Sequence, residues 1–179
     1  NLKMKTCLSN LRIYPNDKDY IEGSLLIEDD KILCNDSKDE EIIADRYLDC
    51  HNNILIPGMI DIHTHGGYGY DFIRNPKESV DVLSKELVKE GTTSFMASFT
   101  VVSLKENLEL LKEYSLCKSN INGSNFLGVH NEGPYLSLEY KALMDPLYLR
   151  DPDINELKKM LEVSNGILKL MTIDPERKG

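Results

Sequence analysis

Residues 54–72 read ILIPGMIDIHTHGGYGYDF. An apolar run meets Pro57-Gly58, two histidines stand two apart at His63 and His65, and glycines follow. The run over 54–63 is almost continuously apolar, which predicts one strand buried on both faces of a parallel sheet. Residues two apart on a strand face the same side. Asp61, His63 and His65 therefore share one face, with Ile60, Ile62 and Thr64 on the other. The pair sits where the strand gives way to Gly66-Gly67, its C-terminal end, where parallel α/β folds place their chemistry. Two imidazoles so arranged reach one divalent ion, with Asp61 as a candidate support. Two histidines bonded only to backbone are the blander alternative; the strand-end position favours the metal.

Downstream the pattern alternates. A helix is expected over 76–90 with Val80, Leu83, Leu87 and Val88 on one stripe. TTSFMASFT (92–100) reads as a strand. Ser103 and Glu106 form a capping box, opening a helix with Leu104, Leu108 and Leu111 on one face. NFLGVHNEG (125–133) is a third strand. Asp153 and Glu156 cap a helix carrying Ile154, Leu157 and Leu161, and GILKLMTID (166–174) is a fourth strand. Repeated βα units make an α/β fold of parallel strands, either an open doubly wound sheet or part of a (β/α)8 barrel. Four strands are half of a barrel, which takes about 250 residues in full.

Upstream, residues 1–55 hold short alternating runs broken at Pro15-Asn16-Asp17, Asp29-Asp30 and Asn52-Asn53. They predict a small antiparallel β unit with a hairpin at Asp29-Asp30. The acidic run DSKDEE (36–41) reads as a solvated loop. The division expected is thus 1–55 and 56–179.

The 179 residues are 41% hydrophobic and 28% charged, the balance of a soluble globular protein. With no Trp and 7% aromatics, the expected core is aliphatic. A net charge of −9 without a basic run argues against nucleic acid or an anionic membrane as partner. A small anionic substrate stays compatible, because a bound metal reverses the local field. No apolar stretch approaches the roughly 20 residues of a membrane span, and no signal peptide opens the chain. Cys7, Cys34, Cys50 and Cys117 are scattered, as expected for reduced thiols in the cytoplasm.

A second constellation lies in GVHNEGP (128–134). His130 and Glu132 share a face at the end of the third strand, and Gly133-Pro134 turns the chain. Glu132 is a candidate metal ligand or general base, converging with His63 and His65 from another strand end. GGYGY (66–70) matches no phosphate loop; a tight turn or close ligand approach fits its glycines. His51 reads as surface or packing. Tyr135 and Tyr140 are compatible with pocket lining or plain packing.

PGMIDIHTHG (57–66) resembles the opening signature of the metal-dependent amidohydrolase superfamily. HNEGPYLSLEYKALMDPLYL (130–149) is similar to the H-L-E-G-P-F-L-S motif of its N-acetylglucosamine-6-phosphate deacetylase branch. KLMTIDPE (169–176) resembles that branch's fourth-strand segment. The resemblance implies the first half of a (β/α)8 TIM-type barrel, preceded by a small β-sandwich segment. It implies hydrolysis of N-acetylglucosamine-6-phosphate to glucosamine-6-phosphate and acetate, with one or two divalent ions (Zn, Fe, Mn or Co). Glu132 matches the glutamate on the catalytic metal, and His63 and His65 match the pair holding a second one. His130 and Asp61 stand as supporting candidates. Further metal histidines and the family's catalytic aspartate fall beyond the fourth strand, so no catalytic residue is assigned here and this chain alone should be inactive. Leu143 and Met144 align with substrate contacts, in Ala142-Leu143-Met144 where the family reads G-A-H. A homodimer or larger assembly is implied for the full-length protein. Two alternatives remain: an amidohydrolase for a different or cyclic amide, and a non-catalytic half-barrel assembling through its sheet edges.

Overall fold

The computed structural model describes residues 3–14, 19–37, 42–117 and 123–179. The turn expected at Pro15-Asn16-Asp17 and residues 38–41 of the acidic run lie outside the described residues. The chain divides between Pro57 and Gly58 into two compact units.

The first unit is one four-stranded sheet of β1 (Lys5–Ile13), β2 (Ile21–Glu28), β3 (Lys31–Ser37) and β4 (Arg46–Leu55), in the order β3-β2-β1-β4. The hairpin forms as its sequence predicts. Asp29 takes a positive φ of 53°, which a two-residue turn between twisted strands requires. The sheet is not wholly antiparallel. β4 lies beside β1 and runs parallel to it, because the chain crosses to the far side of β1 after β3. Leu11, Ile13 and Leu25 form its buried centre.

The run at 54–63 is not one strand. Leu55 ends β4, Pro57-Gly58 breaks the ladder, and β5 (Met59–Thr64) begins the second unit. Nor is β5 buried on both faces: Met59, Ile60 and Ile62 are 53%, 61% and 50% exposed. It is an edge strand, paired with one neighbour, and none of its residues enters the core. After it come a two-stranded ribbon, β6 (Gly66–Gly67) and β7 (Tyr70–Asp71), then α1 (Pro76–Leu87), β8 (Thr92–Phe99), α2 (Leu104–Tyr114), β9 (Asn125–Glu132), α3 (Ile154–Ser164) and β10 (Leu168–Thr172). The GGYGY stretch is the ribbon's tight turn, with Tyr68 and Gly69 at φ 54° and 87°.

The strand order is β10-β9-β8-β5, every pairing parallel. Consecutive strands are neighbours throughout, so the order lacks the reversal of a doubly wound sheet. α1, α2 and α3 send Val80 and Leu83, Leu110 and Leu111, and Met160 into one cluster with β8 and β9.

That core is aliphatic in most of its residues, as composition suggests, but it also holds a cluster of aromatic rings. All four phenylalanines, Phe72, Phe95, Phe99 and Phe126, are buried there with Tyr114. Tyr114 packs against three of them, with ring centroids 5.0–6.5 Å apart. Its hydroxyl donates to the Phe72 carbonyl at 2.7 Å.

Two helix faces also differ from expectation. Val88 is 39% exposed, because the last turn tightens into a 3-10 segment over Val88–Glu90. In α3, Ile154 and Leu161 are exposed, whereas Glu156, Met160 and Ser164 are buried. Glu156 tolerates burial because the Arg150 guanidinium donates to both its oxygens, at 2.5–3.0 Å. The capping expectations hold: Ser103 accepts from the Glu106 amide, and Asp153 from the amides of Asn155 and Glu156.

Candidate metal centre

His63 lies in β5, His65 just after it, and Glu132 ends β9. Their side chains meet beyond the strand ends: His65 Nε2 is 3.0 Å and His63 Nε2 3.3 Å from Glu132 Oε2. The two Nε2 atoms are 3.3 Å apart. Ligands held tetrahedrally at about 2.0–2.2 Å from an ion stand roughly 3.3–3.6 Å from one another, so the three atoms, at 3.0–3.3 Å, need little movement to hold one cation. No other group of three or more potential ligands occurs among the described residues.

The protonation pattern points the same way. His65 Nδ1 lies 3.0 Å from the Ser98 carbonyl. A carbonyl only accepts, so Nδ1 carries the hydrogen and, in the neutral ring, Nε2 turns a lone pair toward Glu132. The His65 carbonyl also accepts the Phe72 amide at 3.2 Å, tying the residue to the ribbon. A lone pair facing a carboxylate is repulsive unless a metal or proton stands between them.

His130 and Asp61 play other parts than ligation. Among the described residues, His130 is buried, and both ring nitrogens are engaged: Nδ1 with Ser98 Oγ at 2.9 Å, Nε2 with Thr172 Oγ1 at 2.8 Å. Burial, reinforced by neighbouring His63, pushes its imidazole below the usual histidine range. Its ring stands edge-on to His63, centroids 4.7 Å apart. Asp61 shares the predicted face, but its carboxylate accepts the His63 backbone amide at 3.0 Å. It holds the strand at the histidine rather than the imidazole.

A cleft of about 420 Å³ opens beside Glu132 and His65, lined also by Thr100, Val101, Ala142, Leu143, Met144 and Asp145. Leu143 is fully exposed at its mouth. Met144 is buried, and its sulfur accepts the Val101 amide at 3.4 Å. Lys141 Nζ donates to the Met144 carbonyl at 2.9 Å, bracing the loop. Of the tyrosines considered for the pocket, Tyr135 is packed inside and Tyr140 is exposed. His51 is a surface residue of the first unit. Sequence reading did not find Ser98 and Thr172. They lie on two further strands, and only the register β8-β9-β10 brings their hydroxyls to His130.

No protein-family model matches the chain. It is 34% identical over 129 residues to the N-acetylglucosamine-6-phosphate deacetylase of Bacillus subtilis (strain 168), covering 70% of this chain and 33% of that protein. Against the deacetylase of the same name from Danio rerio it is 30% identical over 175 residues, covering 93% and 43%. The crystal structure of N-acetylglucosamine-6-phosphate deacetylase from Pasteurella multocida superposes with a TM-score of 0.80 at 27% identity, covering 97% of this chain and 45% of that one. The chain spans less than half the length of the curated relatives it matches. Over that part of their length, it is similar to the N-acetylglucosamine-6-phosphate deacetylases.

Proposed function

We propose that this chain is part of a metal-dependent hydrolase that removes the acetyl group from N-acetylglucosamine-6-phosphate, giving glucosamine-6-phosphate and acetate. The observation carrying this reading is the meeting of His63, His65 and Glu132 at the C-terminal ends of parallel strands, where barrel enzymes hold their chemistry. The consecutive strand order supports a (β/α)8 barrel of which β5, β8, β9 and β10 are the first four strands. The small sheet of residues 5–55 would be part of a β-sandwich. Imidazole and carboxylate donors suit Zn, Fe, Mn or Co, in one or two sites. Among the described residues, no helix is long and apolar enough to cross a membrane. A cytoplasmic location belongs to the same proposal, and the thiols Cys7, Cys50 and Cys117 are compatible with it. A homodimer or larger assembly belongs to the same reading.

Glu132, His63 and His65 would hold a divalent ion, which when bound would lower the pKa of water and polarise the amide carbonyl. The chain's own residues set the geometry. Glu132 and the two Nε2 atoms bind, and the Ser98 carbonyl keeps His65 in the tautomer that can ligate. Leu143 and Met144 wall the cleft against the sugar.

The test is acetate release from N-acetylglucosamine-6-phosphate by the full-length protein with added Zn²⁺, Fe²⁺ or Mn²⁺; no release with any of them overturns the reading. One observation favours a second substrate. Met144 stands where the family's histidine is expected and turns its sulfur to the backbone, so no side-chain donor meets the sugar there. A panel of other N-acyl and cyclic amides separates the two.

A further inference from the structure

We propose that Ser98, His130 and Thr172 form a positioning strut that sets the aim of both metal-binding histidines; the proposal rests on the metal reading above. Ser98 reaches both. Its carbonyl fixes the His65 ring at 3.0 Å, and its hydroxyl holds His130 Nδ1 at 2.9 Å. Thr172, one strand further, holds the other nitrogen of His130 at 2.8 Å. His130 is thus clamped at both ends across three adjacent strands, β8, β9 and β10. Its ring is then the platform for His63, edge-on at 4.7 Å. Among the described residues, the His63 ring makes its polar contacts with Glu132 and His65, the other two members of the site. Without that platform, its rotamer would be set by the metal alone. Ligating histidines are generally held by an outer layer of hydrogen-bonded groups. This outer layer acts on one ligand through a backbone carbonyl and on the other through a second, non-ligating histidine.

The experiment titrates Co²⁺ into the full-length protein, reading affinity by competition with a chromophoric chelator and geometry by the visible Co²⁺ spectrum. Thr172→Val keeps the side-chain shape and removes the hydroxyl; Thr172→Ser restores it. Ser98→Ala removes the other clamp and keeps the carbonyl. Thr172→Val and Ser98→Ala should each weaken Co²⁺ binding about tenfold and alter the spectrum, while Thr172→Ser matches the parent. If the parent binds Co²⁺ and both variants match it in affinity and spectrum, the strut is wrong and the metal reading stands. Failure of Thr172→Ser to restore binding also overturns the strut. A parent that binds no Co²⁺ overturns the metal reading itself.

Discussion

His65 Nε2 stands 3.0 Å from Glu132 Oε2, although β5 and β9, which carry them to the site, are separated in the sheet by β8. The carboxylate therefore reaches across the end of an intervening strand to face the Nε2 edge of the ring. Such a contact is favourable with a cation between the atoms, so metal should stabilise the fold. At a Zn²⁺ concentration 100 times Kd the gain is about 2.7 kcal/mol, a rise in Tm of roughly 5–10 °C for a chain of this size. Thermal scans with and without Zn²⁺ check this. Glu132→Gln and His65→Ala should lose the shift, and a shift retained in either would show the ion binds elsewhere.

Arg150 and Glu156 are the buried ion pair under α3, with Glu156 only 8% exposed. Removing one partner of such a pair leaves an uncompensated charge inside, at a cost of about 3 kcal/mol. Arg150→Met should lower the urea midpoint accordingly. The double variant Arg150→Met, Glu156→Leu should recover most of the loss, and a double variant no better than the single would refute the charge explanation.

Gly128 sits in β9 at φ +141°, where a Cβ would fall 2.4 Å from the Ile167 carbonyl oxygen. Neither backbone segment yields easily, because the Ile167 carbonyl already accepts the Val129 amide at 2.8 Å. Gly128→Ala should cost about 2–3 kcal/mol. Gly67→Ala, with open space at its Cβ position, is the control. Equal stability of the two variants by urea titration would contradict the packing described.

Tyr135 gives the alkaline limit a definite sign. Burial, then the charge of Glu156, pushes its phenol up to about 12, and burial raises Tyr114 further in the same direction. An unfolded tyrosine loses its proton near pH 10, so between about pH 10 and 12 the folded state binds more protons and stability falls as pH rises. Tyr135→Phe should flatten part of that decline. Absorbance at 295 nm should show Tyr135 titrating late in the parent, with Tyr114 later still; identical pH curves for parent and variant would exclude Tyr135 as the cause.

Leu143 separates function from stability at the cleft. Its side chain is fully exposed, so Leu143→Ser should leave the urea midpoint within about 0.5 kcal/mol. If the residue walls the substrate, KM rises while the metal-dependent Tm shift stays. An unchanged KM would remove Leu143 from the binding surface.

What local pattern can carry was legible from the sequence. Period 2 put His63 and His65 on one face and His130 and Glu132 on another, and capping residues marked the starts of α2 and α3. Those signals depend on neighbours a few residues apart, which share one element. The tertiary structure alone decided what depends on distant partners. Ile54 and Met59 fell into different units because Pro57-Gly58 broke a run that looked continuous. Four phenylalanines scattered over 55 positions gathered into one cluster with Tyr114. α3 turned Glu156 inward because Arg150 was there to meet it. Ser98 and Thr172 became the clamp on His130 through strand register alone. Hydrophobic period identifies a strand and its faces, whereas register across a parallel sheet is set by packing between segments 30–40 residues apart, which no short stretch of sequence encodes.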